Sequence, residues 1–203
     1  MTQRIVLASA NEGKIAEIQT ILQQHAIEAI PQSAFDVLDV AETGMTFIEN
    51  AIIKARHAAS ITKLPAIADD SGLEVDALGG SPGVYSARYA GLPSNDKNNT
   101  DKLLRALATI PTEQRSARFH CTMVFMAHAN DPSPLIGHGV WDGRITLERF
   151  GDKGFGYDPV FYVPERNCTS AQLDQSFKNS ISHRAQALQT LMPQIARFYT
   201  HKT

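Results

Sequence analysis

The sequence predicts a mixed α/β fold, a long sheet flanked by helices and arranged in two lobes around a cleft. Two observations carry that expectation. Strand-like and helix-like segments alternate through the first half of the chain, and strand signals cluster in the second half. No repeat, low-complexity tract or linker interrupts them, so residues 1–203 read as one two-lobed domain.

Ile5 to Ala8 is a short apolar run and predicts the first strand. Ser9-Ala10-Asn11-Glu12-Gly13-Lys14 follows as a turn. A helix from about Lys14 to Gln24 then places Ile15, Ile18, Ile21 and Leu22 on one face. Ile27 to Ile30 predicts a second strand. Thr46-Phe47-Ile48-Glu49 has the pattern of a capping box, in which hydroxyl and carboxylate satisfy each other's orphan backbone donors. The helix it opens runs to Thr62 with Phe47, Ala51, Ala55, Ala58 and Ala59 inward. Ala66 to Asp69 is the next strand, Leu73 to Ala77 another, and Gly79-Gly80-Ser81-Pro82-Gly83 a loop.

Asn95 to Ile110 reads as a helix on Leu103, Leu104 and Leu107. Ala117 to His128 and Leu135 to Trp141 predict strands, and Asp142-Gly143-Arg144 a hairpin loop before Ile145 to Glu148. Pro159 to Val163 predicts one more strand. Ser182 is placed to cap a last helix reaching Tyr199, with Ala185, Leu188, Leu191 and Ile195 inward.

Composition narrows the function classes. A hydrophobic content of 43% supports a sizeable core. With 19 Lys+Arg against 21 Asp+Glu, nothing points to a nucleic-acid backbone or an anionic membrane as partner. No apolar stretch approaches the ~20 residues that span a bilayer. Met1-Thr2-Gln3-Arg4 leads straight into a strand, so no signal peptide is read. Cys121 and Cys168 lack metal or disulfide spacing, which suits a reducing cytoplasm, and Cys121 reads as a small core residue.

The segment Ala66-Ile67-Ala68-Asp69-Asp70-Ser71-Gly72 is the most informative. Two carboxylates at the end of a buried run are costly unless a cation meets them. Magnesium is the natural cation, because hard ions take carboxylate oxygens. Glu42, Asp69 and Asp70 are the candidate ligands, and Asp70 is also the candidate base that activates a water. In a regular strand Asp69 and Asp70 point to opposite faces and cannot share one task. The alternatives are an Asx-turn for Asp70 and a surface charge for Glu42. Glu49 is assigned to the capping box, although its helix could also aim it at the cleft.

Ser9 to Lys14 joins a strand to a helix, where backbone N–H groups attract anions and Lys14 adds a full charge. Ser9 and Asn11 can donate to phosphate oxygens. The alternative is a simple N-cap beside a solvated lysine. Gly154-Phe155-Gly156-Tyr157-Asp158 lets the backbone approach a ligand, with Phe155 to stack on a base and Asp158 to hydrogen-bond to it. The alternative is a sharp loop whose aromatics fill the core. Lys178 and Ser182-His183-Arg184 complete the set. Cations in a first helical turn oppose the dipole, which hints at a purpose, while surface placement is the simpler alternative. The remaining histidines (His25, His57, His120, His128, His138 and His201) show no ligand spacing and read as structural or solvated.

Taken in order, these pieces resemble the inosine triphosphate pyrophosphatase family, its bacterial branch most closely. The resemblance spans Ser9 to Arg184. It is carried by Ser9-x-Asn11-x-x-Lys14, Thr43-Gly44-x-Thr46-Phe47-x-Glu49-Asn50-Ala51, Asp69-Asp70-Ser71-Gly72, Gly79-Gly80-x-Pro82-Gly83-x-Tyr85-Ser86-Ala87-Arg88, Phe155-Gly156-Tyr157-Asp158 and Ser182-His183-Arg184. Ser9 stands where many members carry threonine, which keeps the hydroxyl.

The resemblance implies a long curved mixed sheet, two lobes around a substrate cleft, and a homodimer. It implies magnesium-dependent hydrolysis of dITP, ITP and XTP to the monophosphate and pyrophosphate. It further implies that Ser9, Ala10, Asn11, Glu12, Gly13, Lys14 and Ser71 hold phosphates and sugar. Asp70 becomes the base, Glu42 and Asp70 the metal ligands, and Phe155, Gly156, Tyr157, Asp158, Lys178, His183 and Arg184 the frame of the purine.

The 6-oxygen of hypoxanthine or xanthine would satisfy donors on Arg184 and on either the backbone or His183 that adenine's 6-amino group leaves unpaired. Two other readings compete: an enzyme of the same architecture preferring modified pyrimidine triphosphates, and a nucleotide sensor that does not hydrolyse. A pure binder gains little from extra negative charge beside a triphosphate, which disfavours the sensor.

Overall fold

The computed structural model describes residues 3–200; Met1, Thr2 and His201, on which two of these readings fall, lie outside them. Seven strands, β1 (Gln3–Leu7), β2 (Ile27–Pro31), β3 (Ala66–Val75), β4 (Ser116–Met126), β5 (Leu135–Ile145), β6 (Phe161–Val163) and β7 (Cys168–Thr169), form one sheet in the order β2-β1-β3-β4-β5-β6-β7. The helices are α1 (Glu12–Gln23), α2 (Phe47–Thr62), α3 (Asp96–Ala106), α4 (Gln175–Ile181) and α5 (His183–Thr200). The sheet is mixed: β1 pairs parallel with β2 and β3, and β6 antiparallel with β5 and β7. The α/β expectation holds.

The chain separates into two compact units. The first holds the N-terminal segment through Asp70, then Cys121–Gly139, and the segment from Ser182. Strand alternation gives it two cores. Ile5, Leu7, Ile67, Cys121, Met123 and Phe125 pack under α1 and α5, against Ile18, Leu22, Leu188 and Leu191. Val6, Ala8, Ala66, Ala68, Val124 and Met126 face α2, whose Ala51, Ala55, Ala58 and Ala59 allow a close approach. Each fully buried Leu, Ile or Phe here contributes about 1.5–3 kcal/mol.

The second unit holds Ser71–His120 and Val140–Ile181. Its core gathers Leu73, Val75, Leu103, Leu107, Phe119, Trp141 and Phe161. The Phe119 and Phe161 rings lie 4.5 Å apart between centroids, and Trp141 lies 5.2 Å from Phe161.

Three expected boundaries change. β3 does not stop at Asp69 but runs unbroken to Val75, so Ser71-Gly72 is extended backbone and not an Asx-turn. Asp142-Gly143-Arg144 is not a hairpin loop but the interior of β5. A Cβ on Gly143 would stand 2.5 Å from the Tyr162 carbonyl oxygen and 2.6 Å from the Phe161 ring. The glycine therefore marks the close approach of β6, which composition alone does not distinguish from a turn. The helix begun at Asn95 stops at Ala106, and α4 was not expected at all.

Candidate active site

Within the first unit the site grows from the alternation of β3. Asp69 shares a face with Ile67, toward α1 and α5, while Asp70 shares a face with Ala66 and Ala68, toward α2.

On the first face, Asn11 caps α1 by accepting the Lys14 N–H at 3.0 Å, and Ser9 Oγ accepts the Asn11 N–H at 3.2 Å. This fixes the turn from Ser9 to Lys14 with Ala10 and Glu12 exposed and Gly13 partly so. Lys14 Nζ reaches Asp69 Oδ2 at 3.0 Å. Burial alone would push the Asp69 carboxyl up, but Lys14, Lys54 and Arg184 outweigh it and hold the group at about 2. Lys14 is therefore not a solvated lysine.

Arg184 and His183 open α5, and both are buried. Arg184 Nε donates to Glu17 Oε2 at 2.7 Å, and its Nη1 meets His183 Nε2. Glu17 lies one turn beyond Lys14 on α1, so one face of that helix carries the partners of both Asp69 and Arg184. Burial works against the Arg184 charge, yet Glu17 and Asp69 raise its pKa above the usual arginine value. Surface placement of this pair is excluded.

On the opposite face of β3, α2 presents Asn50 and Lys54, four residues apart. Lys54 Nζ donates to Glu42 Oε1 at 2.6 Å and to Asp70 Oδ1 at 3.0 Å. Asn50 Nδ2 donates to Asp70 Oδ2 at 3.2 Å, and Asn50 Oδ1 accepts the Gly44 N–H at 2.8 Å. Burial pulls the Lys54 pKa down, but Asp70, Asp69 and Glu42 hold it above the ordinary lysine value. For Asp70, burial is the largest influence and leaves the carboxyl raised, despite Lys54 and Lys14. Glu49 closes the capping box on Thr46 and points into it.

Two carboxylate oxygens thus converge on one ammonium. Among the described residues no three His, Cys, Asp or Glu side chains gather as a ligand set. A pair of hard oxygen donors still suits magnesium, which typically takes one or two carboxylates and completes its shell with water and substrate phosphates.

In the second unit, Ser71 is half-buried beside Gly72 in β3. Further along, Asp158 organises the 154–158 loop. Its Oδ2 accepts the Phe155 N–H at 2.9 Å and Lys178 Nζ at 2.6 Å, and its Oδ1 accepts Ser170 Oγ at 2.8 Å. A Cβ on Gly154, at φ +76°, would overlap Asp158 Oδ2, so only glycine admits this arrangement. Gly156 N–H donates to Asp96 Oδ2 at 2.8 Å, and the buried Tyr157 hydroxyl donates to the Ser86 carbonyl at 2.8 Å. Lys178 Nζ lies 5.2 Å from the centroid of the half-buried Phe155 ring. Asp158 is 3 % exposed with both oxygens engaged, so it shapes the loop from below and does not present itself to solvent.

The structure brings Lys14, Glu42, Asp69, Asp70, His183 and Arg184 together in the first unit, and Phe155, Gly156, Tyr157, Asp158 and Lys178 in the second. Sequence reasoning gave no role to Lys54, Asn50 or Glu17. The signal was present: Asn50 and Lys54 are polar residues one turn apart, flanking the alanine face of a buried helix.

The sequence model of the Ham1 family matches residues 5–194. The dITP/XTP pyrophosphatase of Vibrio parahaemolyticus serotype O3:K6 is 56% identical over 194 residues, covering 96% of this chain and 97% of that protein. That of Photobacterium profundum is 57% identical over 188 residues, covering 93% and 95%. Among solved structures, a HAM1 protein from Coxiella burnetii superposes with a TM-score of 0.88 at 53% identity, covering 96% of this chain and 99% of that one. The Ham1 protein of Staphylococcus aureus gives 0.81 at 40% identity, covering 99% and 100%.

Proposed function

The chain belongs to the Ham1 family, and from that premise we propose how its residues divide the work of a nucleoside triphosphate pyrophosphohydrolase. The enzyme hydrolyses non-standard purine nucleoside triphosphates (dITP, ITP and XTP) to the monophosphate and pyrophosphate. The observation that carries the division of labour is the convergence of Glu42 Oε1 and Asp70 Oδ1 on Lys54 Nζ, at 2.6 and 3.0 Å, one strand residue away from the Lys14–Asp69 pair.

Ser9 to Lys14, with Ser71, bind the phosphates and sugar. The N-cap geometry supports this, because it leaves backbone N–H groups and a lysine at the start of α1. Asp70 takes the proton of a water that attacks the α-phosphorus. Its burial raises its basicity, and Asn50 and Lys54 fix its orientation. The α–β P–O bond breaks, pyrophosphate leaves, and Lys14 offsets its charge. Glu42 and Asp70 would hold magnesium, which would supply Lewis-acid stabilisation of the phosphate oxygens. Asp69 neutralises and aims Lys14 and is not a metal ligand in this reading.

His183 and Arg184 present donors to the 6-oxygen of the purine. Phe155, Gly156, Tyr157, Asp158 and Lys178 form the aromatic wall, with Asp158 and Lys178 holding it rigid. The enzyme works as a homodimer in the reducing cytoplasm, and its two free cysteines suit that compartment.

Pyrophosphate release from dITP, ITP, XTP, dUTP and ATP, with and without magnesium, tests the assignment. Turnover of the three non-standard purines only with magnesium is expected. Preference for dUTP, or binding of ITP without turnover, overturns it.

A further inference from the structure

At Gly137 and Gly139, helix α5 rests on the bare backbone of β5. A Cβ on Gly139 would overlap the His183 carbonyl oxygen and stand 2.6 Å from the Ala187 nitrogen. A Cβ on Gly137 would overlap the Ala187 carbonyl oxygen and stand 2.7 Å from Leu191 Cβ. The His183 and Ala187 atoms belong to the helix backbone, which yields only if the helix moves.

Between and beyond the two glycines, polar ties fix the register. His138 N–H donates to Thr190 Oγ1 at 3.2 Å, and Gln194 Nε2 donates to the Ile136 carbonyl at 2.8 Å. The contacts run 194 to 136, 190 to 138, 187 to 137 and 183 to 139, so helix and strand are antiparallel. Two strand residues advance ~6.6 Å and one helical turn ~5.4 Å, so glycines two apart seat successive turns. Gly139 lies under the first turn, the one that carries His183 and Arg184.

We propose that Gly139 is a positioning residue for purine selection: its missing side chain sets how deep the first turn of α5 lies, and so where His183 and Arg184 place their donors. Gly137 seats the next turn and serves packing alone. The inference rests on the reading that His183 and Arg184 face the purine.

The test compares kcat/KM for ITP and for ATP in Gly139→Ala, Gly137→Ala and Arg184→Ala. A loss of folded enzyme scales both substrates alike and cancels in the ratio, so the ratio reports position and not stability. Misplacement of a binding group by about 1 Å can cost on the order of a hundredfold. We expect Gly139→Ala to lower the ITP:ATP ratio at least about tenfold, mainly through KM for ITP. Gly137→Ala lowers Tm and leaves the ratio within about twofold.

A folded Gly139→Ala enzyme with an unchanged ratio, or a Gly137→Ala ratio that falls as far, overturns the inference. An unchanged ratio in Arg184→Ala instead overturns the purine-recognition reading beneath it. Should Gly139→Ala give no folded protein, Ser182→Ala carries the test by releasing the cap of that same first turn, where Ser182 Oγ accepts the Ala185 N–H at 3.3 Å. A fall in its ratio supports the seat, and no change overturns it.

Discussion

Asp69 and Asp70 are adjacent in sequence and work on opposite sides of one strand: Asp69 meets Lys14 of α1 at 3.0 Å, and Asp70 meets Lys54 of α2 at 3.0 Å. Each acid has its own lysine on its own helix. In the proposed division of labour, this separates charge neutralisation around the phosphate loop from proton transfer and metal binding.

Asp70→Asn keeps the shape and the Asn50 contact of Asp70 and loses its basicity. The variant is expected to fold, bind ITP, and turn over about 10²–10⁴-fold more slowly. Isothermal titration with ITP and a pyrophosphate-release assay check both halves. Normal turnover by folded Asp70→Asn removes Asp70 as base.

Lys54→Met leaves Glu42 and Asp70 aimed at one point without their ammonium. These contacts are partly buried, so the loss is smaller than the ~3–5 kcal/mol of a fully buried pair. Magnesium should restore much of that loss, so its effect on Tm is expected to be larger in the variant than in the parent enzyme. Thermal unfolding in EDTA and in millimolar magnesium measures this, and an equal response in both proteins argues against a metal bound by these two acids.

Arg184→Ala is expected to narrow the gap between ITP and ATP by lowering kcat/KM for ITP more than for ATP. It also removes from the buried Glu17 the guanidinium that meets it at 2.7 Å. The double variant Glu17→Gln/Arg184→Ala removes that buried charge. It should recover Tm without recovering discrimination, and recovery of both would mean that Arg184 acts through folding alone.

Much of this site was legible in the sequence because the chemistry-bearing residues fall in short runs. Ser9 to Lys14, Thr46 to Glu49 and Asp69-Asp70 each declare a turn, a cap or a buried charge from local pattern. Alternation even fixed that the two aspartates diverge. What stayed hidden is tertiary. Lys54 reads as one lysine of a helix surface until Glu42 and Asp70 arrive from distant segments. Gly143 looks like a turn until β6 approaches it. Asp158 looks like a ligand contact until Lys178 and Ser170 take its oxygens from α4 and the segment before it.

Asp101 tests the electrostatics away from the site. Hydrogen bonds from Lys97 and Arg149 hold its carboxyl down at about 2. A depressed folded pKa contributes stability above the unfolded value of about 3.9 and loses it as pH falls toward the folded value. The Tm difference between parent and Asp101→Asn should therefore be present at pH 6 and close by about pH 2. A difference that persists at the acid end would mean that the charge is not its source.

Lys178 and Asp158 give the most direct check on the aromatic wall. Their ion pair is 2.6 Å long with both side chains almost fully buried, and the same Asp158 oxygen also holds the Phe155 N–H. Lys178→Met leaves Asp158 charged with only neutral donors, at a cost of about 3–5 kcal/mol, and frees the loop that carries Phe155. Asp158→Asn leaves the ammonium buried and should cost a similar amount. Carrying both changes removes both charges, so the double variant should be more stable than the sum of the singles predicts. Because the proposed reading gives the pair the purine wall and not the phosphates, KM for ITP should rise in each single variant more than kcat falls. Chemical denaturation of the four proteins gives the coupling, and steady-state kinetics gives the split. Strict additivity would show that the two residues do not act as a pair, and a fall confined to kcat would move them from the purine wall to the reaction centre.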